Sequence, residues 1–476
     1  MRLAPTLMIQ GTSSHVGKSV LVTGLCRVFA RRGLKVAPFK SQNMAPNSYI
    51  TLDGRELGSA QAIQAKGALT EPLVEMNPIL LKPVSDTVAE VIVMGRPLGR
   101  LSAREYREFK GQMGLSVVKE ALDRLRQQFD LVIIEGAGSP AEVNLRAEDI
   151  VNMTVAYLAD APVFLVGDID RGGVFAYIAG TLELLTPRER ARIKGLIINK
   201  FRGDLELLRP GLIELEELTG IPVMGVVPYL SLDIPEEDTV SWSPASTGDV
   251  EIGIMHLPHI SNFTDFDPLN RILGVNLRCI RPGQPLGRPD ALIVPGSKNI
   301  FADLSLLQES RSAIMALGVP VVGIGEGYAM LAREILDQGE RIGPGLGLID
   351  AAVELFPLSP RRTWARIVAD EGWLADLAGL VIEGYQVQGV RGGQNPFCSI
   401  GGELEGVAAP GVWGTSLHGL FDNEKVALSF INYLRQRKGL GPAGSIPQED
   451  PYDSLADALE RALDMEAISR LVGGGS

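Results

Sequence analysis

The stretch Gly11-Thr12-Ser13-Ser14-His15-Val16-Gly17-Lys18-Ser19 carries the first recognisable chemistry. It follows an apolar run at 7–10 and opens a helical pattern at 18–31. Glycines let consecutive backbone N–H groups turn inward onto phosphate, and a helix start adds positive potential. Gly11, Thr12 and Gly17 therefore read as phosphate-cradling, with Lys18 reaching the terminal phosphates of ATP and Ser19 on Mg²⁺. Five residues separate the two glycines, one more than in the usual phosphate loop. A plain glycine turn is the competing account; the strand–loop–helix order around Gly-Lys-Ser argues against it. Two acidic strand ends add metal chemistry. Glu135 closes the run 131–134, and Asp168 and Asp170 follow the run 162–166. Ligands of open α/β sheets sit beyond the carboxyl ends of the strands, where Glu135 and Asp168 could hold Mg²⁺ directly or through water. Asp170 could equally cap the next helix. Arg171 could steady a transferring phosphoryl group, and Asn199, ending the run 195–199, could read an adenine edge.

These residues need a parallel sheet behind them, and the pattern supplies one. Short Val/Ile-rich runs at 7–10, 35–39, 90–94, 131–134, 162–166, 195–199 and 222–227 alternate with helical patterns at 18–31, 58–68, 116–128 and 210–218. Apolar strands alternating with amphipathic helices predict a mostly parallel α/β sheet covered on both faces. A polar, acidic, proline-bearing stretch at 232–249 reads as a linker, and a second strand series begins at Glu251. That series continues through 291–294, 319–324, 351–356 and 383–390 to 412–416; a Pro/Gly segment, one helix at 454–463 and a glycine tail end the chain. The 476 residues are 45 % apolar and 21 % charged, which predicts two or three well-filled domains. A net charge of −12 without basic blocks argues against nucleic acid as a partner. No apolar stretch spans a membrane, and Met1 to Pro5 runs straight into a strand without a signal-peptide pattern. Three unpaired cysteines, Cys26, Cys279 and Cys398, fit a reducing cytoplasm. Four histidines without zinc spacing make a histidine-built metal site unexpected.

Several longer blocks point to a family. Phe39-Lys40-Ser41-Gln42-Asn43-Met44, Met76-Asn77-Pro78 with Leu81-Lys82-Pro83, the run from Glu135 to Asn144, Asp168 to Phe175, and Ile260 to Pro268 together resemble the cobyric acid synthases. The likeness runs from about residue 6 to residue 435. The long phosphate loop is also similar to that of dethiobiotin synthetase, whose fold the family shares. The resemblance implies ATP- and Mg²⁺-dependent amidation of corrinoid side-chain carboxylates, taking cobyrinic acid a,c-diamide to cobyric acid in cobalamin biosynthesis. It also implies an ATP-binding ligase domain at 1–235, a linker at 236–249, an amidotransferase-like α/β domain at 250–440 and a tail at 441–476. A carboxylate is a poor electrophile, and phosphorylation gives an acyl phosphate that ammonia can attack. Lys18, Lys40, Mg²⁺ and Arg171 are the charges expected to neutralise the reacting groups. The family likeness puts Lys40 on a phosphate-facing loop; Glu56, just before the helix that starts near Gly58, could hold Mg²⁺ too, and Gln42, Asn43 and Asn144 could make amide contacts to corrin side chains. Turn and cap hydrogen bonding is the alternative for the amides. A partitioning ATPase of the same fold is the other nucleotide-binding class. Such switches carry an extra lysine early in the loop, and Thr12 to Ser14 offer none.

Residues 251–435 are similar to class I glutamine amidotransferases, which hydrolyse glutamine with a cysteine on a strand-to-helix elbow and a histidine beside it. The elbow is Gly323-Ile324-Gly325-Glu326-Gly327. Gly325 stands where the nucleophile belongs, and Glu326 where the next N–H helps form the oxyanion hole. Pro295 to Asn299 matches the glutamine-site loop and Gly414 to Asn423 the histidine block, with Leu420 in place of the carboxylate that usually follows. His418 is then vestigial, having no thiol to deprotonate. Cys279 and Cys398 sit in no elbow pattern and read as small buried residues. The expectation is a working ligase half and a silent glutaminase half, fed by free ammonia or by another protein. An engineered change at Gly325, a nucleotide-dependent corrinoid carrier without catalysis, and a ligase on another tetrapyrrole acid are the other readings.

Overall fold

The computed structural model describes residues 3–45, 48–85, 87–144, 146–230, 248–444 and 450–473; most of the expected linker lies outside them. The chain divides into two compact units, one built from 1–49, 56–237 and 449–476, the other from 50–55 and 238–448.

The first unit is organised by six parallel strands: β1 (Thr6–Gly11), β2 (Val36–Phe39), β3 (Leu131–Glu135), β4 (Val163–Asp168), β5 (Ile193–Phe201) and β6 (Val223–Pro228). They lie in the order β6-β5-β4-β1-β3-β2. β1, β3 and β4 are buried at every position, as strands covered on both faces must be. With β1 between β3 and β4, the turn after β1 emerges beside the carboxyl ends of both, the place where such sheets bind ligands. That turn leads into helix α1 (Lys18–Arg31). The apolar run at 90–94 does not join this sheet. It pairs antiparallel with its neighbours in a sheet of Gln42–Met44, Ile79–Ser85, Val88–Val93 and Arg96–Ser102. The physical reason is the turn Met94-Gly95, where both residues have positive φ and send the chain straight back as a hairpin.

The chain's end also folds onto this unit. Helices α5 (Pro451–Ala462) and α6 (Met465–Val472) cover α1 and β6. Leu455 and Leu459 are fully buried against α1 at Gly24, where a methyl group would meet a leucine carbon at 2.4 Å. Arg27, 3 % exposed, pairs with Asp450 and Asp453, and Arg31 with Asp457. Sequence reading finds the helix at 454–463, but its partner is not visible locally, because the apolar stripe it covers lies some 430 residues upstream.

The second unit has its own central sheet of β7 (Val250–Met255), β8 (Val275–Ile280), β9 (Ala291–Val294), β10 (Val321–Ile324), β11 (Val407–Ala409) and β12 (Val412–Thr415), in the order β8-β7-β9-β10-β12-β11. All neighbours are parallel except β11 with β12. A short helix, α3 (Glu326–Leu331), leaves the carboxyl end of β10, and α4 (Glu424–Arg437) closes one face. The runs at 351–356 and 383–390 belong to a separate mixed sheet, built on the antiparallel pairing of Ile349–Ile367 with Val381–Arg391. Among the described residues no helix is long and apolar enough to cross a membrane.

Candidate functional site

The first unit's site is built at the carboxyl ends of β1, β3, β4 and β5. Gly17 has φ 98°, and a Cβ there would lie 2.2 Å from Asn199 Nδ2. Asn199 is buried under the loop and donates from Nδ2 to Val16 O at 2.8 Å. Its amide N–H therefore supports the phosphate loop from below. Lys18 is only 7 % exposed; its ammonium donates to Ser13 O at 2.9 Å and Gly138 O at 3.1 Å. Burial lowers its pKa to about 8, with Lys40 adding to that effect and Glu135 and Glu142 opposing it. The lysine is curled over the loop, within the arc where terminal phosphates would replace those carbonyl oxygens.

Ser19, Lys40 and Glu135 meet directly. Ser19 Oγ donates to Glu135 Oε1 at 2.8 Å, and Lys40 Nζ stands 3.0 Å from the same oxygen. Gln64, on helix α2 (Ser59–Gly67), donates to Glu135 Oε2 at 2.5 Å. Burial pushes the Glu135 carboxyl up, but Lys40 and the hydrogen bonds from Lys40, Ser19 and Gln64 outweigh it and hold the group below its usual range. A deprotonated carboxylate beside a hydroxyl is an oxygen donor set suited to Mg²⁺, which takes one or two protein ligands and fills the rest with water and phosphate. Among the described residues no group of three or more His, Cys, Asp and Glu forms a metal cage.

The four expected metal residues are not brought into one cluster. Asp168 ends β4 and meets Lys200 Nζ at 3.0 Å and Arg171 Nε at 3.7 Å. Lys200 also donates to His15 O at 2.7 Å, so it ties the loop to Asp168. Glu56 is buried against Lys82 and accepts from Ser48 Oγ at 2.8 Å, which gives its charge a protein partner. Of the expected corrin contacts, Asn43 is 3 % exposed and donates to Gln61 Oε1 at 3.2 Å, inside a buried amide group with Asn77. The neighbouring Asn77 accepts from the Gly58 N–H at 3.2 Å and so holds the turn there. Gln42 accepts from Tyr106 at 2.6 Å and lines a cleft with Lys110, Ser139, Glu142 and Arg146. Asn144 is exposed on the loop after β3.

The second unit's elbow has no side chain at residue 325, the expected nucleophile position. Gly325 lies between β10 and α3 with φ 60° and ψ −130°, a backbone state that only glycine adopts freely. A Cβ there would sit 2.6 Å from His418 Nε2. His418 is 2 % exposed, and its Nδ1 is 2.7 Å from Asp265 Oδ2. Asp265 also accepts from Tyr385 at 3.0 Å and from the Gly419 N–H at 3.2 Å. It therefore does the orienting work that a carboxylate after the histidine does elsewhere, from a segment 153 residues away in sequence. Glu326 Oε2 accepts from the Ser297 N–H at 3.2 Å. The loop carrying Ser297 is pinned by buried Asp303, which binds Ser297 Oγ at 2.6 Å and His259 Nδ1 at 2.8 Å. Burial works against charge on His418, but Asp265 outweighs it and Glu326 adds to that, so its pKa is raised despite Lys298.

A raised histidine pKa has a definite linkage sign. Its stabilisation is fully present below the unfolded pKa and is lost as pH rises through the folded value. His418→Gln should therefore differ most from the parent in thermal stability under mildly acidic conditions and least well above neutrality. Melting curves across pH check this; a pH-independent difference contradicts it.

Three site residues escape the sequence reading. Gln64 shows only as a glutamine three residues after Gln61 in an alanine-rich helix, a polar pair on a face that should be buried. Lys200 follows Asn199 without an apparent task. Asp265 lies within a family-like block, and the signal was Leu420: a histidine without its usual carboxylate needs another one.

Comparison with known proteins agrees with this geometry. Residues 7–239 match the family model described as a CobQ/CobB/MinD/ParA nucleotide binding domain, and 251–426 match a CobB/CobQ-like glutamine amidotransferase domain. The chain is 46 % identical to the cobyric acid synthase of Desulforamulus reducens, covering 100 % of this chain and 99 % of that one. It is 45 % identical to that of Pelotomaculum thermopropionicum (99 % and 97 % covered) and 44 % identical to that of Sorangium cellulosum (99 % and 99 %). With two matching domains and this likeness over nearly its whole length, the chain belongs to the cobyric acid synthase family.

Proposed function

We propose that this chain is an ATP-dependent ligase that amidates side-chain carboxylates of a corrinoid, cobyrinic acid a,c-diamide to cobyric acid, and takes its nitrogen as ammonia. The observation that carries the ligase reading is the contact of Ser19, Lys40 and Glu135 beside a buried, curled Lys18. ATP supplies the phosphoryl group and Mg²⁺ its charge compensation, with Ser19 and Glu135 as the protein groups that would hold the ion. Asp168 is a second candidate, through water, once Lys200 is displaced. Lys18 and Lys40 bring positive charge to the place where phosphate and carboxylate must approach one another, and charge aimed there favours the transition state over the separated reactants. A substrate carboxylate oxygen attacks the γ-phosphorus and ADP leaves; ammonia then attacks the acyl carbon of the acyl phosphate, phosphate leaves with the bonding pair, and the nitrogen gives up one proton to solvent. Gln42 and Asn144 remain proposed contacts to the corrin substrate, and Arg171 to the transferring phosphoryl group.

The nitrogen reading rests on Gly325. Without a thiol or hydroxyl at the elbow no glutamyl thioester can form, so ammonia enters free or from another protein. A corrinoid carrier without catalysis would need none of the Ser19–Glu135–Lys40 arrangement. The test is ADP release with and without the corrinoid acid: release that depends on the acid supports the ligase, and none in any combination supports the carrier.

Glu135→Gln and Asp168→Asn each keep shape and remove one charge. Both should shift the Mg²⁺ titration of ADP release upward by about tenfold, the scale of one lost charged contact, and move corrinoid affinity less. An unmoved Mg²⁺ midpoint in both variants contradicts a metal held here.

A further inference from the structure

Two neighbouring helices of the first unit, Val174–Leu184 and Leu205–Thr219, leave an apolar face uncovered. They join β4 to β5 and β5 to β6, which stand side by side in the sheet, so two right-handed crossovers place both helices in one layer. They touch at Gly211, where a Cβ would lie 2.9 Å from the Phe175 ring. Inward, Val174, Ile178, Leu182 and Leu215 are buried in the core. Outward, Tyr177, Leu184, Leu207 and Leu218 are between 52 % and 83 % exposed. Tyr177 and Leu184 are seven residues apart and share one side of their helix. Leu207 and Leu218 stand four and seven residues from Gly211, on the side turned to the neighbouring helix. Single exposed apolar side chains are ordinary, but four at this spacing on adjoining helices form a patch.

The glycines of these helices differ in a way that bears on what covers the patch. A glycine inside a helix weakens it. Gly211 makes room for the Phe175 ring, whereas a Cβ on Gly180 would meet nothing within 4 Å among the described residues. Gly180 is exposed between Tyr177 and Leu184, with exposed Ala176 one turn before it. Bare backbone flanked by bulky apolar side chains suits the close approach of a helix with the same relief.

We propose that this face pairs two copies of the chain about a twofold axis at Gly180, with the two Val174–Leu184 helices antiparallel. Charge selects that direction, because Glu183 is the one charged residue in the helix. Parallel helices related by a twofold would set Glu183 against itself. Antiparallel helices part the two carboxylates by six residues, about 9 Å along the axis. Each carboxylate then moves toward the amino end of the partner helix, where the helix dipole and exposed Arg171 favour an acid. The contact uses the same patch on both copies, so it closes at two. The helix starts just after the loop of Asp168 and Arg171, so the seam reaches the edge of each copy's candidate phosphate site.

Sedimentation equilibrium of the purified full chain should show a mass that rises with concentration from that of one 51.1 kDa chain to twice that. Gly180→Leu should raise the dissociation constant at least about tenfold by overfilling the seam. At dilutions where the parent is monomeric it should melt no lower, because the new side chain meets open space and the helix gains propensity. Leu207→Lys should also weaken pairing. Ile213→Lys should not, since Ile213 is exposed but lies two residues from Gly211 and thus nearly opposite it round the helix. Gly180→Cys tests the axis itself: mild oxidation should link two copies covalently and a reductant should part them. Cys26 and Cys398 are buried, and the parent chain is the control for half-buried Cys279. A monomer at every concentration, the result if the chain's second unit or an unrelated protein covers the face, overturns the proposal. So does a dimer that Gly180→Leu leaves intact, equal weakening by Leu207→Lys and Ile213→Lys, or no covalent dimer from Gly180→Cys.

Discussion

Lys18→Ala is expected to lower corrinoid amidation at least about a hundredfold while the protein melts as before. A donor aimed at charge that develops in the transition state is worth about 2.7–4 kcal/mol, or two to three powers of ten in rate. Lys18 is such a donor: it is buried at the head of α1, and its ammonium reaches two backbone oxygens of the loops that frame the site. Replacing those oxygens by phosphate would strengthen its bonds, because the new acceptors are charged. Stability should change little, since the buried lysine gains two hydrogen bonds but bears a desolvation cost that has lowered its pKa to about 8. That value sets a pH signature as well. In the absence of nucleotide the lysine loses charge as pH rises past about 8, so nucleotide affinity should weaken there in the parent and not in Lys18→Ala. Steady-state amidation and nucleotide titrations against pH check both. Unchanged turnover at saturating ATP contradicts the placement of reacting phosphates at this loop.

The second large effect concerns the elbow. Gly325→Cys alone is expected to restore little glutaminase. A Cβ would lie 2.6 Å from His418 Nε2 and 2.7 Å from Cε1, so the imidazole must move, yet Asp265 holds it. The backbone at φ 60° is also strained for any side chain, at about 1–3 kcal/mol. Glu326 would still occupy the Ser297 N–H and repel a developing oxyanion. Gly325→Cys with Glu326→Gly removes that obstacle and should release glutamate from glutamine measurably faster than the single variant. Equal rates in the two variants contradict the role given to Glu326.

How much of this was legible beforehand differs between the two sites. The phosphate loop is contiguous, and its chemistry follows from Gly17-Lys18-Ser19 at a strand-to-helix turn. Glu135 was equally visible as the acidic end of an apolar strand. What binds them together was not, because Lys40 and Gln64 come from separate segments and only the fold brings them to one carboxylate. Asn43 and Glu56, expected ligands, also have protein partners in Gln61 and Lys82; polar residues in a buried turn need partners, which only the fold reveals. At the elbow the missing nucleophile was plain, since a single residue type decides it. Asp265 was hidden because its contact with His418 spans 153 residues. The hairpin at Met94-Gly95 was missed because a short apolar run looks alike in a parallel and an antiparallel sheet, and two left-handed residues decided the matter.

The source of the nitrogen tests the account most directly. Purified full-length chain, free of other glutaminases, is given ATP, Mg²⁺ and the corrinoid diamide acid with amide-¹⁵N-labelled glutamine and unlabelled ammonium together. The product's new amides are read by mass spectrometry. The account predicts amides carrying only the unlabelled nitrogen, and no product when glutamine is the sole source. Labelled amides, formed with a matching release of glutamate, would contradict it.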